Sequence, residues 1–282
     1  MTRRPRSRRP PRLPDPPAAT VPHAVKARTR RDRLKEAQVA GRSNRFGREE
    51  VRGVMRRVVE GNPRALLGLA PFETLSTEQV EAAVQHVYGW SGDGARARID
   101  PDRAVEGFTL ACERVLEVAR AGGRIAFATG RPAALLEVYR ALAAAAADAG
   151  GKVLERVESG IFGAGRRLWW VDGVAVVSDQ VSLLADDGVR AAEELLFVAE
   201  PLELVVADRG FAGVSLAAGL EVVTLADLDA LALAVASWLG MAVRVAPLDD
   251  HRPPACYESL LDLVDEVAAR TDEHQREPRP GL

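Results

Sequence analysis

The sequence predicts an α/β fold with an open, mainly parallel sheet and helices on both faces, preceded by a helical section and a disordered basic tail. Three observations carry this prediction. Short apolar runs bounded by glycine and proline recur beyond residue 120, and helical patterns separate most of them. Such alternation is typical of parallel sheets built from strand-helix-strand units. With 282 residues, 47% of them apolar, the chain is long enough to bury one sizeable core.

The N-terminal segment is strongly basic and is predicted to be disordered over residues 1–47. Residues 1–48 hold 15 Lys and Arg but 3 Asp and Glu, whereas the remainder holds 23 and 37. The first 22 residues are mainly arginine and proline, with almost nothing apolar to bury. A basic arm of this kind binds phosphate backbones, an anionic membrane surface or the chain's own acidic body, or it only keeps the protein soluble. Nucleic acid is therefore expected as a partner only through residues 1–48.

A single domain is predicted from residue 48 to residue 270, and its first section, residues 48–120, is expected to be all helical. Apolar residues recur at helical spacing from residue 48 until a break at residues 61–63. Two further helices follow, the first of them capped by Ser76 or Thr77. Residues 271–282 are expected to form a flexible tail.

The second section alternates strands with helices, and the strands are predicted to be mostly parallel. In such sheets, ligands bind outside the carboxyl ends of the strands, where the strand order reverses. Functional residues should therefore come directly after strands. The predicted strands cover residues 124–129, 152–157, 168–177, 203–207, 221–225 and 242–246.

The turn after the first of these strands is a candidate anion site. Thr129, Gly130 and Arg131 follow an apolar run, and Pro132 then opens a long alanine-rich helix. The amides at the start of that helix and the forked guanidinium of Arg131 suit a phosphate group. In the alternative interpretation, Gly130 and Pro132 only shape the turn and Arg131 lies in solvent.

Carboxylates follow each of the last three predicted strands. If these strands are parallel, the acids share one edge with the turn at Thr129. Carboxylates beside arginine suit phosphate-ester chemistry, in which oxygen ligands hold Mg²⁺ or another divalent ion and a carboxylate orients water. The residues are Asp208, Arg209 and Gly210 after the first strand, Asp227 and Asp229 after the second, and Asp249 and Asp250 after the third.

The acids differ in how easily local structure explains them. Asp227 is interpreted as the N-cap of the helix that follows it, and Asp229 then suits the dipole of that helix. Asp208 ends a very apolar strand and is the preferred catalytic residue. Asp249 and Asp250 are harder to explain by capping, so these two and Asp208 are the predicted catalytic residues and metal ligands.

The remaining motifs exclude several classes of chemistry. His251, beside the last acidic pair, is the one histidine placed to act as an acid, a base or a ligand. No serine lies in a nucleophile elbow. The chain contains neither GxGxxG nor the GxxxxGK[ST] loop, so no nucleotide cofactor is expected.

The location expected from the sequence is the cytoplasm. Cys112 and Cys256 offer neither a disulfide framework nor a zinc spacing. No apolar run has the length or the flanks of a secretion signal or a membrane span. The sequence predicts no association with a membrane, and it leaves the oligomeric state open.

Two motifs resemble the haloacid dehalogenase phosphatases, but the resemblance fails at the nucleophile. The turn "TGRP" and the run "WWVDGVAVV" look like parts of that family. Its catalytic aspartate would stand two positions before Asp172, where this chain has Trp170. The order of the two motifs is also reversed, so aspartyl-phosphate catalysis on that plan is rejected.

An ordered set of motifs resembles a group of actinobacterial proteins that carry the generic label "phosphatase". The set is "NPRALLGLAP", "IDPDRAV", "FATGRPAALLEVYRALA", "ELVVADRGFAG" and "VAPLDD", which together span about residues 60–260. The resemblance implies a cytoplasmic α/β protein with phosphatase-like activity. It points to Thr129, Gly130, Arg131, Asp208, Gly210, Asp249 and Asp250. Arg131 and Arg209 depart from the group, whose other members often have histidine there.

Three functional hypotheses follow. The first is a phosphatase-like hydrolase of a small phosphorylated metabolite, in which Arg131 and Arg209 bind the phosphoryl group and the acids hold a metal. The second is a non-catalytic phosphosugar-binding or nucleotide-binding regulatory protein, which needs the arginines but not the carboxylates. The third is a nucleic-acid-associated protein that acts through its basic tail.

Overall fold

The protein is an α/β fold with a mostly parallel sheet. The computed structural model describes residues 28–155, 160–198 and 201–276. Among these residues, no helix is long and apolar enough to cross a membrane. The helices are α1 (Arg30–Glu36), α2 (Arg48–Val59), α3 (Pro63–Leu66), α4 (Thr77–Tyr88), α5 (Pro101–Arg120), α6 (Pro132–Asp148), α7 (Val189–Val198), α8 (Arg209–Ala217), α9 (Leu231–Trp238) and α10 (Glu258–Arg276), the last preceded by a 3₁₀ turn at Pro254–Tyr257.

The strands form a large sheet and a separate two-stranded ribbon. The large sheet has the order β10-β9-β8-β3-β6-β5, with the short β4 and β7 paired to β3 and β6. Its first five strands are parallel, and β5 and β7 run antiparallel to β6. The ribbon pairs β1 with β2. The strands are β1 (Gly41–Gly47), β2 (Arg96–Ile99), β3 (Arg124–Ala128), β4 (Lys152–Val153), β5 (Arg167–Val171), β6 (Val174–Ser178), β7 (Leu183–Leu184), β8 (Leu204–Ala207), β9 (Val222–Ala226) and β10 (Val243–Pro247).

Helices cover both faces of the large sheet. Helices α5 and α6 pack on one face, with α10 and α1 outside them, and α7, α8 and α9 pack on the other. Strands β8 and β9 are buried at every position, as near-continuous apolar runs in a parallel sheet should be. The sheet therefore has the two covered faces and the open strand ends that the sequence predicts.

Most of the predicted strands lie within one residue of the observed ones. The prediction for residues 168–177 is wrong in one respect, because this segment forms the antiparallel hairpin of β5 and β6 rather than a single strand. Asp172 and Gly173 make its turn, with φ values of 46° and 80°. An Asp-Gly pair between apolar runs favours a two-residue hairpin turn, in which both residues take positive φ. The predicted strand at 152–157 is reduced to Lys152–Val153.

The boundary between tail and domain lies well before residue 48. Residues 28–47 were predicted to be disordered, but they contain α1 and β1. Helix α1 buries Leu34 against the domain, and Arg30 and Arg33 pair with acids of α10. Residues 1–27 lie outside the described residues, as do residues 277–282 of the predicted C-terminal tail.

Two further boundaries also differ from the prediction. Strand β2 interrupts the section that was expected to be all helical. Helix α10 continues to Arg276, beyond the predicted end of the domain at residue 270.

Candidate active site

The carboxyl ends of β3, β8, β9 and β10 carry the predicted residues to one edge of the sheet. Strands β3, β8 and β9 are neighbours, and β10 lies beside β9. All four are parallel, so the segments that follow them emerge on the same side. These segments begin with Thr129, Asp208, Asp227 and Leu248 respectively.

Asp208 is enclosed by the turn that follows β3. Its side chain is fully buried, and its two oxygens accept hydrogen bonds from the Thr129 hydroxyl (2.5 Å) and the Gly130 amide (2.7 Å). The Thr129 oxygen in turn accepts the Arg131 amide at 2.9 Å. The turn therefore wraps around a carboxylate of the protein itself, and the amide of Gly130, a predicted substrate-binding residue, is already engaged.

Burial controls the ionisation of Asp208. Loss of solvation raises the pKa of its carboxyl to about 6, although the bonds from Thr129 and Gly130 act in the opposite direction. The negative charge of nearby Asp250 also contributes to this raised value. Asp208 therefore titrates not far below neutral pH.

Two glycines allow the loops of this edge to pack closely. A Cβ added at Gly130 would lie 2.3 Å from the carbonyl oxygen of Asp186, and one at Gly210 would lie 2.2 Å from that of Asp187. Both distances are too short for any side chain. These predicted site residues are therefore required for packing, whether or not they also contact a ligand.

Arg209 spans two neighbouring loops. Its backbone takes φ 50° at the start of α8, a left-handed conformation that is uncommon for a residue with a side chain. The guanidinium donates to Asp187 at 2.8 Å and to Asp229 at 3.0 Å. Its Nε is buried without a hydrogen-bond partner. Arg209 is thus held at the edge with one donor still unused.

Asp227 is not the N-cap that the sequence suggested. Helix α9 begins at Leu231, and the capping position belongs to Ala230. The carboxylate of Asp227 is buried in the site, where Oδ1 accepts the Leu228 amide at 2.7 Å. Its backbone carbonyl accepts the Tyr88 hydroxyl at 2.9 Å, which fixes the loop.

Asp227 and Asp229 are two residues apart but have opposite pKa shifts. Burial, assisted by the charge of Asp250, raises the pKa of Asp227 to about 7. Burial also acts to raise the pKa of Asp229, but the charges of Arg209 and Arg45 outweigh it and hold that pKa below its usual range. At neutral pH, Asp229 is therefore ionised, whereas Asp227 is partly protonated.

Asp250 is the most unusual group of the cluster. It is fully buried, and neither carboxylate oxygen accepts a well-oriented hydrogen bond. Three guanidinium groups approach it without bonding: Arg45 Nη1 and Arg131 Nε lie at 3.8 Å, and Arg209 Nη1 lies at 3.9 Å. A buried carboxylate without such bonds is costly, and because Oδ1 is in ion-pair contact with His251, Oδ2 is the oxygen most available to a further ligand.

His251 lies against the same acids. Its Nδ1 is in ion-pair contact with Asp250 and lies 3.7 Å from Asp227. Partial burial lowers the pKa of His251, but its interactions with these two carboxylates prevail and raise it to about 9. Arg45 Nη1 contacts the same nitrogen, and its positive charge acts in the opposite direction on this pKa.

Asp249 has a different role from its neighbour. Its carboxylate accepts the His251 amide and the Arg252 Nε, both at 3.0 Å. Its carbonyl accepts the Tyr257 hydroxyl at 2.7 Å. These bonds hold the loop after β10 in place and leave Asp249 less available than Asp250.

Arg45 is a site residue that the sequence analysis missed. It extends from β1, inside the segment that was predicted to be disordered, and lies 3.4 Å from both Asp227 and Asp229. The local signal was weak. Phe46, which is buried beside it, is an isolated apolar residue in a polar run, and no periodic pattern marks the strand.

Two groups of side chains in the described residues bring three potential metal ligands within 4.8 Å of one another. One is Asp227, Asp249 and His251, and the other is Asp227, Asp229 and Asp250. Asp208 belongs to neither group, and the predicted combination of Asp208, Asp249 and Asp250 is not assembled. Asp250 Oδ2, which accepts no hydrogen bond, suits a hard divalent cation such as Mg²⁺, which prefers oxygen ligands.

The site is nearly closed and opens on one side. Thr129, Asp208 and Asp250 are inaccessible to solvent. The exposed fractions of the Arg45 and His251 side chains are 37% and 28%, and the two side chains contact each other, so together they form the exposed rim of the site. A cavity of about 760 Å³ lies elsewhere, between α6, α10 and the β5-β6 hairpin.

Comparison with known proteins supports a phosphatase family. The family model described as "Phosphatase" matches residues 25–272 of this chain. A curated protein of Streptomyces coelicolor, itself named a phosphatase, is 32% identical over 212 residues. The aligned region covers 70% of this chain and 78% of that protein. The matched segment contains every candidate site residue described above, including Arg45.

Proposed function

The chain belongs to the Phosphatase family, and from that premise we propose that it hydrolyses phosphate monoesters of a small metabolite with the help of a divalent metal ion. The observation that carries the proposal is the environment of Asp250. A fully buried carboxylate that contacts His251 and accepts no oriented hydrogen bond lies near three guanidinium groups at one sheet edge. Metal-assisted phosphoryl transfer uses this combination, in which cationic donors hold the phosphoryl oxygens and carboxylates hold the metal.

The phosphoryl group is proposed to bind to Arg45, Arg131 and Arg209. Guanidinium groups match phosphate oxygens with forked donors and remain charged at every relevant pH. The Nε atoms of Arg131 and Arg209 are buried and have no acceptor within the described residues, so both can donate to an incoming anion. Asp208 is proposed to act through Arg131, because it fixes the turn that carries that side chain.

The metal ligands are proposed to be Asp227, Asp229 and Asp250. This set is favoured over the set with His251, because it offers three carboxylate oxygens and Mg²⁺ prefers oxygen ligands. When bound, a divalent ion neutralises phosphate charge and activates water for attack. This assignment replaces the predicted metal role of Asp208, whose oxygens are both hydrogen-bonded.

His251 is proposed to supply the proton of the reaction. Its side chain lies at the exposed rim of the site, beside the acids that are proposed to hold the metal. A positioned acid can transfer its proton to the departing alkoxide oxygen, which would otherwise leave as a poor leaving group.

The test is phosphate release by the full chain from a panel of phosphorylated metabolites, with Mg²⁺, with Mn²⁺ and with EDTA. We expect turnover of one or a few substrates that requires the metal. Asp250→Asn should lower kcat/KM at least about tenfold and weaken the dependence on metal, because it removes a carboxylate ligand. The matched control is Asp172→Asn, an exposed aspartate of the β5-β6 turn that should leave turnover unchanged.

The same assay can contradict the proposal. Unchanged metal-dependent turnover in a folded Asp250→Asn variant would remove Asp250 from the site. A phosphorylated ligand that raises the melting temperature but is not cleaved by any metal-loaded form would favour the second candidate, a phosphosugar-binding or nucleotide-binding regulatory protein. The observation that favours this candidate is the pair of unused donors, Arg131 Nε and Arg209 Nε, because binding an anion would use both of them without any catalysis.

A further inference from the structure

The β1-β2 ribbon places two arginines directly opposite each other. Arg42 on β1 is the register partner of Arg98 on β2. Side chains at such positions lie about 5 Å apart at Cβ, and like charges there destabilise the pairing. Arg96 lies two positions before Arg98 and therefore shares its face of the strand.

Within the described residues, no carboxylate neutralises this pair. Neither Arg42 nor Arg98 has a carboxylate oxygen within 4.0 Å, although Arg45 on the same strand has three such partners. Arg96 donates to the carbonyl of Asn44 at 3.1 Å, which leaves its charge uncompensated. The ribbon thus concentrates positive charge without an internal counterion.

The three arginines line a cavity of about 520 Å³ beside the loop that follows α4. Its lining includes one acid, Asp93, whose carboxylate already accepts the Ser91 hydroxyl at 2.7 Å. The carbonyl of Asp93 accepts the indole N–H of Trp90 at 3.1 Å, which shapes the loop. The cavity wall is therefore preformed and carries a net positive charge.

We propose that this cavity binds a small phosphate-type oxyanion, which bridges Arg42 and Arg98. The forked donors of two guanidinium groups match the oxygens of such an anion, and its charge removes the repulsion between them. An extended phosphodiester fits less well, because the adjoining hollow is lined by two acids, Glu49 and Glu50, against one base, Arg48. The site is separate from the acidic edge and does not depend on the proposed catalytic activity.

The test compares wild-type protein with Arg98→Glu, using inorganic phosphate as the probe. The substitution places an acid opposite Arg42, so the cross-strand pair becomes attractive. We expect Arg98→Glu to melt at a higher temperature than wild type in phosphate-free buffer. Equilibrium dialysis with labelled phosphate should show one bound phosphate fewer per chain, and a second variant, Arg42→Gln, should show the same loss.

The number of phosphates lost separates this site from the catalytic one. If the acidic edge also binds phosphate, the count falls from two to one, and if it does not, the count falls from one to zero. Arg56→Glu makes the same change of net charge on an exposed turn of α2 and should keep the wild-type count.

Three results would overturn the proposal. The first is an unchanged phosphate count in both Arg98→Glu and Arg42→Gln. The second is an equal loss in the Arg56→Glu control, because binding would then depend on net charge alone. The third is displacement of phosphate by a single-stranded oligonucleotide at lower concentration than by pyrophosphate, which would assign the surface to nucleic acid.

Discussion

The turn at Thr129 shows how one carboxylate organises its neighbours. Asp208 accepts hydrogen bonds from the Thr129 hydroxyl and the Gly130 amide, and the Thr129 oxygen holds the Arg131 amide. The short motif "TGR" therefore depends on an acid that comes about eighty residues later in the chain. Its ionisation has a measurable effect on stability, because burial raises the pKa of Asp208 to about 6.

The first prediction concerns the pH dependence of folding. Unfolded aspartate has a pKa of about 3.9, so between about pH 4 and pH 6 the folded state binds more protons at Asp208 than the unfolded state. This group therefore lowers the free energy of unfolding by about 3 kcal/mol as pH rises through that range. The Asp208→Asn variant has no carboxyl group to titrate at this position. Its free energy of unfolding relative to wild type should therefore rise by about 3 kcal/mol between pH 4 and pH 7.

Urea unfolding of both proteins at pH 4 and pH 7 measures this difference. Asp262→Asn is the control, because that aspartate is half exposed on α10 and its ion pair with Arg33 contributes little. Its stability should follow the wild-type pH profile. Parallel profiles for wild type and Asp208→Asn would show that Asp208 does not titrate in this range.

Single residues also show what the sequence could and could not predict about the site. The rule that ligands bind beyond the ends of parallel strands correctly placed Thr129, Arg131, Asp208 and Asp250 along one edge. Asp227 was assigned to capping because an aspartate before an apolar helix is a common cap. Whether its side chain turns inward depends on where α9 begins, and no local pattern encodes that position.

At the scale of elements, the β5-β6 hairpin was predicted as one strand because its two halves form a single apolar run in the sequence. The turn depends on Asp172 and Gly173, which both take positive φ. An antiparallel hairpin here places β5 at the edge of the sheet, beyond β6. The Asp-Gly pair does indicate a hairpin turn, but the prediction gave more weight to the nearly continuous apolar run on either side of it.

The second prediction follows from this turn. A Cβ added at Gly173, where φ is 80°, would lie 3.0 Å from Val153 Cγ1. Gly173→Ala should therefore lower the free energy of unfolding by about 1–2 kcal/mol, the cost of a left-handed conformation with a side chain. Gly53→Ala, in the helical conformation of α2 with ordinary contacts around it, should instead stabilise by up to about 1 kcal/mol. Denaturant titrations of the two variants and of wild type measure these free energies of unfolding. Equal changes in Gly173→Ala and Gly53→Ala would contradict the assignment of Gly173 to a turn with positive φ.

The whole molecule combines a basic N-terminal segment with an acidic body. Composition alone assigned the boundary between them to residue 47, because charged and proline-rich sequence rarely buries enough surface to fold. The structure places residues 28–47 on the domain, through Leu34, Val39 and Phe46, which are all buried. These contacts join segments far apart in sequence, and composition does not report such contacts.

The last prediction separates the two parts of the N-terminal segment. A chain that starts at residue 28 should keep the melting temperature and phosphate release of the full chain, while losing any affinity for nucleic acid at low salt. A chain that starts at residue 48 should unfold at a much lower temperature or be insoluble, because β2 loses its partner strand. Each apolar side chain removed from the core contributes about 1.5–3 kcal/mol.

Arg45→Gln in the full chain distinguishes lost stability from a lost site. The Arg45 side chain is 37% exposed and contacts the acids of the site and the ring of Phe46, so its replacement should lower the melting temperature far less than removal of α1 and β1. If it contributes to phosphoryl binding, kcat/KM should still fall about tenfold or more. A chain from residue 48 with wild-type stability and activity would show instead that α1 and β1 are dispensable, and that Arg45 takes no part in the reaction.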